Sequence, residues 1–123
     1  MNFTQAIRSA VLRELVMARR ARLSTQRTQE FKHLENAHVL GQESTYWHTY
    51  IHWRMLVWGW KNKAYSEVVG QILRIVGAIS KTAIGLLPTG NTGGANVSPF
   101  KPMPLSSECA QAIAQAKSRC AKG

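Results

Sequence analysis

Two histidines four residues apart, His48 and His52, are the first residues in the 123-residue chain whose types and spacing suggest chemistry. On a helix, side chains at i and i+4 stack on one face, so both imidazoles aim at one point. Upstream, the segment His33-Leu-Glu-Asn-Ala-His-Val-Leu-Gly-Gln42 places Glu35 one turn before His38. Glu-x-x-His is a spacing that projects a carboxylate and an imidazole inward in metal-binding helical bundles. If the two segments are antiparallel helices turning near Glu43, His38 falls opposite His48 and Glu35 opposite His52. Glu14 lies amid an apolar arc of Ile7, Val11, Ala18 and Ala21, where a lone carboxylate is costly, and joins the layer if its helix packs on this pair.

The expected metal ligands are therefore Glu14, Glu35, His38, His48 and His52, and the expected cofactor is a divalent transition metal. Three imidazoles with one or two carboxylates suit zinc, iron, copper or manganese. An open coordination position would allow water activation or oxygen chemistry, and a closed set would be structural or a carrier site. Enzyme status and reaction class stay open. The competing reading is a buried polar network in which Glu14 or Glu35 pairs with Arg54 or with the histidines. His33 points away from the His38 face and is expected to be solvated.

Positioning these groups requires helices, and the apolar periodicity supplies them. A first helix runs from Thr4 to about Leu23, and Ser24-Thr25 form a turn and a cap. A second helix through about Gln42 is marked by Phe31, Leu34, Ala37 and His38. Ser44 caps a third helix to Lys61, along which Trp47, Ile51, Met55 and Trp58 recur, and a fourth spans about Ala64 to Leu87, ended by Pro88. The apolar side of the fourth is read as Tyr65, Val68, Val69, Ile72, Val76, Ile79, Ala83 and Leu86. Residues 88–104 concentrate Gly, Asn and Pro and read as an ordered loop, with Gly90–Asn96 a strap over the helices. Ser106-Ser107 open a short last helix from about Glu108 to Lys122.

The expected fold is all-α: two stacked antiparallel helical hairpins, tetratricopeptide-like or a four-helix bundle, with a long Gly/Pro loop and a short C-terminal helix. One domain covers residues 1–123, divided into a four-helix core at 1–87, the loop at 88–104 and the terminal helix at 105–122. Cys109 and Cys120 lie eleven residues apart on that helix, about 16 Å, so they cannot pair with each other within it. Trp47, Trp53, Trp58 and Trp60 are packing or interface anchors.

Sixteen Lys and Arg against six acids give a net charge of +10. That field draws anionic partners without choosing among them. The second functional reading is accordingly a basic helical-repeat module that binds an acidic protein partner. Nucleic acid is the less favoured occupant, because no nucleic-acid reading motif is present. The apolar stretch from Val68 to Leu87 is broken by Gln71, Arg74, Ser80 and Lys81 and reads as a buried helix rather than a membrane span. No leader pattern stands at the start, and a cytoplasmic location is expected.

The segments His33 to Gln42, His48 to Leu56, and Gly90-Asn-Thr-Gly-Gly-Ala-Asn-Val-Ser-Pro-Phe100 resemble a small bacterial family catalogued as a domain of unknown function. The resemblance covers nearly the whole chain. It implies a helical bacterial protein with the histidine segments and the Gly-Asn loop as hallmarks, and it implies no activity.

Overall fold

The computed structural model describes residues 1–84 and 105–122, and their side chains except those of 77–84 and 122. The described elements are all helices: α1 (Phe3–Ala6), α2 (Arg8–Leu23), α3 (Arg27–Gly41), α4 (Thr45–Lys61), α5 (Tyr65–Ile84) and α6 (Ser107–Lys122). The loop expected at 88–104 and the end of the fourth helix lie outside the described residues.

Where a single first helix is expected, the chain bends at Ile7, whose backbone (φ −85°, ψ −9°) ends α1 and starts α2. Asn2 and Gln5 close a capping box over α1, each side chain accepting from the other's backbone N–H. Ile7 is 1% exposed, and the bend lets α1 pack on α6 while α2 packs on α3. The expected cap at Ser24-Thr25 serves the other helix: these residues terminate α2, and α3 begins after Gln26 without a side-chain cap.

The α2–α3 and α4–α5 connections close in the same way. Thr25 N–H donates to Arg22 O at 3.1 Å and Gln26 N–H to Ala21 O at 2.8 Å; Lys63 N–H donates to Trp60 O at 3.3 Å and Ala64 N–H to Gly59 O at 2.8 Å. Both are Schellman closures, which require a left-handed residue after the helix. Here that residue is not glycine, since Thr25 has φ 58° and Lys63 φ 57°. Two helix-turn-helix hairpins of like build result, and they meet through α3 and α4, with α6 against α1 and α3. This is the stacked-hairpin arrangement expected from the periodicity.

The core between the layers is formed by Val11, Leu34, Ala37, Ile51 and Met55, joined by Cys109 and Ala116 of α6. Small residues set the closest approach: a Cβ on Gly41 would stand 2.6 Å from Trp47 Cβ, so α3 and α4 touch there only because position 41 has no side chain. Two tryptophans lock elements together, Trp47 Nε1 donating to Thr4 O at 3.0 Å and Trp58 Nε1 to Arg27 O at 3.1 Å. Trp53 and Trp60 are exposed.

On α5 much of the expected apolar side faces outward among the described side chains: Tyr65, Val69, Ile72 and Val76 are exposed and Val68 is half-buried, whereas Gln71 is fully buried. Amphipathicity identifies an apolar side without identifying the buried one, and here α4 presents histidines to α5, which demand a polar partner.

Candidate metal centre

Ser44 starts α4 as expected, its hydroxyl accepting from Trp47 N–H at 3.3 Å. One turn later come His48 and His52, both on the face that meets α3 and α5. The short α3–α4 turn brings His38 back over them: its ring centroid lies 4.8 Å from that of His48 and 4.7 Å from that of His52. All three are buried, at 2% exposure for His38, 5% for His48 and 2% for His52. One donor atom from each falls within 4.8 Å of the others.

The tightest pair is His38 Nε2 and His52 Nε2, 3.2 Å apart. Two nitrogens bound to one tetrahedral ion at 2.0–2.1 Å lie about 3.3 Å apart, so this pair already has the separation of two ligands on one metal.

A hydrogen-bond chain from α5 sets the state of His52. Gln71 Nε2 donates to Glu67 Oε1 at 2.6 Å, and Gln71 Oε1 lies 2.5 Å from His52 Nδ1. An ionised carboxylate only accepts, so Gln71 must turn its amide N–H to Glu67 and its carbonyl to His52. The carbonyl in turn only accepts, so His52 Nδ1 carries the proton. The lone pair of a neutral His52 is thereby left on Nε2, the atom that faces His38. This is how metal-ligating histidines are commonly oriented, through a fixed acceptor on the far ring nitrogen.

Of the five expected ligands, the structure brings together His38, His48 and His52. Among the described residues, the group of converging His, Cys, Asp and Glu donors consists of these three. Glu35 is half-buried one turn before His38, and its carboxylate is outside the group. Glu14 pairs instead with His33, Nδ1 to Oε2 at 2.6 Å, both side chains being about four-fifths buried. His33 is thus a partner of Glu14 and not the solvated residue expected, which answers how a carboxylate is accommodated on the inner side of α2. The polar-network alternative paired Glu14 with Arg54 or with the histidines of the buried layer, and the partner observed is His33 instead.

Gln71 was the functional position least visible in the sequence, where it reads as an interruption of an apolar stretch. Its available signal was the Glu67–Gln71 i, i+4 pair, which predicts contact along α5 but not that the pair faces α4.

A profile of the family described as "Protein of unknown function (DUF3703)" matches residues 5–113. No curated protein and no solved structure matches the chain. No described helix is long and apolar enough to cross a membrane.

Proposed function

The chain belongs to the DUF3703 family, and we propose that it functions by holding one transition-metal ion on His38, His48 and His52. The observation that carries this reading is the convergence of three buried imidazoles, one of them with its Nδ1 proton committed to Gln71. Burying three imidazoles against each other excludes a full set of protonated rings, since like charges this close repel strongly in a low-dielectric interior. Neutral rings in contact are what a metal site needs before the ion arrives.

Three imidazole nitrogens suit zinc, copper or iron. Three protein ligands leave a fourth position for water or a small ligand. Because His38 belongs to the first hairpin and His48, His52 and Gln71 to the second, the ion would tie the hairpins together. Saturation at one hundred times the dissociation constant would add about 2.7 kcal/mol to stability.

Elemental analysis of tag-free protein purified without chelator tests the reading, alongside a His38→Ala/His48→Ala variant checked for helix content. About one equivalent of metal in the parent and none in the variant is the expected result. Absence of metal in the parent, persisting after reconstitution with zinc, copper and iron, would overturn it and leave a buried polar network.

A further inference from the structure

A second feature lies away from the histidines, where α2 and α4 run side by side on the exposed edge of the two hairpins. Three cavities of about 440, 320 and 180 Å³ follow one another there. The first and second share Leu15 and Tyr50; the second and third share Arg22, Glu30 and Arg54. They therefore form one groove, lined on α2 from Arg8 to Arg22 and on α4 from Tyr46 to Lys61. The fourteen steps from Arg8 to Arg22 at 1.5 Å each make it about 21 Å long, room for about six residues of extended chain.

The two halves differ in chemistry. Leu12, Leu15, Tyr46 and Tyr50 line the first half, with Arg8 as its cation. Arg19, Arg22, Arg27, Arg54 and Lys61 line the second half against a single acid, Glu30. Glu30 is 6% exposed, with Arg22 Nη1 at 3.8 Å from its carboxylate. One carboxylate cannot balance five cations, so this half retains a concentrated positive field inside a concave wall, where it acts most strongly.

We propose that this groove binds an extended acidic peptide segment of a partner protein, its carboxylates on the Arg19–Arg22–Arg54 half and its apolar residues on the Leu12–Tyr50 half. A peptide can carry acidic and apolar ends in that order. A nucleic-acid strand carries a phosphate at every step, and its repeat would find one cation along half of the groove. Arginine also fits the occupant, because its planar fork pairs with carboxylates in bidentate fashion.

Fluorescence anisotropy tests the proposal with a fluorescein-labelled octapeptide bearing leucine and phenylalanine at one end and four glutamates at the other. The controls are a peptide of the same composition with the residues interleaved and a labelled uridine octanucleotide. Arg22→Glu/Arg54→Glu should weaken binding by about tenfold or more, and Glu30→Gln, which removes the opposing charge, should tighten it about two- to fivefold. If the double variant melts below the assay temperature, Lys61→Glu at the exposed rim takes its place, with the same direction expected. Arg13→Glu, about 150° round α2 from the groove, should change affinity by less than about threefold. Equal losses from Arg13→Glu and from the groove variants would reduce the effect to net charge and overturn the proposal. No peptide binding, equal binding of the interleaved peptide, or tighter groove-dependent binding of the oligonucleotide would overturn it as well.

Discussion

Gln71→Leu isolates the contact that holds His52 in its ligand form. Leucine nearly matches glutamine in size, so the fully buried position stays filled while the acceptor 2.5 Å from His52 Nδ1 disappears. Two losses follow. The metal-free protein keeps a buried N–H without this acceptor, which costs about 1–3 kcal/mol of stability. His52 is also freed to move its proton to Nε2 and to rotate, and loss of such a supporting acceptor lowers metal affinity about 10- to 100-fold, or about 1.4–2.7 kcal/mol. Urea denaturation of the chelator-treated protein measures the first loss, and zinc competition against a chromophoric chelator measures the second. The exchange Glu67→Gln/Gln71→Glu keeps an acceptor toward His52 and a donor–acceptor contact between positions 67 and 71, and should return affinity to within about threefold of the parent, which separates lost hydrogen bonding from altered packing. A Gln71→Leu protein whose zinc affinity stays within threefold would refute the inference that the α5 chain sets the tautomer of His52.

Other consequences concern the frame. Thr25→Gly and Lys63→Gly remove side chains from left-handed backbone at φ 58° and 57°, and each should stabilise by about 0.5–1 kcal/mol in urea melts, the β-branched Thr25 giving the larger gain. A loss of stability in both would show that these side chains contribute more than the backbone strain they carry. Gly41→Ala drives a methyl to 2.6 Å from Trp47 Cβ and should destabilise by about 1–3 kcal/mol; an unchanged melting temperature would mean α3 and α4 separate freely. Burial pushes the Glu30 carboxyl above its ordinary 4.5, outweighing the pull of Arg22, Arg54 and Lys61. The folded chain then holds that proton to higher pH than the unfolded one, so ionising Glu30 on the way to neutral pH costs stability. Glu30→Gln should accordingly melt above the parent at pH 7, with the gap closing below pH 4.5, and a lower melt at pH 7 would reverse the sign of the argument.

Local rules made much of the protein legible from its residues. The apolar repeats located α2 to α6, Ser44 marked the start of α4, and the hydroxyl of Ser106 accepts from Cys109 N–H at 3.2 Å at the start of α6. His48 and His52 share a face by helical geometry alone, and a short turn after α3 was enough to bring His38 toward them. These features depend on residues within a few turns of one another, so covalent geometry and helix period decide them.

What the tertiary structure alone decided is which distant groups complete each contact. Whether Glu14 meets the histidine trio or His33 depends on how α2 is rotated about its axis against α3, and the sum of packing across the stack sets that rotation. The facing of α5 was undetermined for the same reason. Its apolar periodicity names two sides without saying which one meets α4; the structure turns the Glu67–Gln71 side toward the α4 histidines, where Gln71 meets the buried N–H of His52, a contact that residues nineteen apart in the chain make only once α4 and α5 are packed.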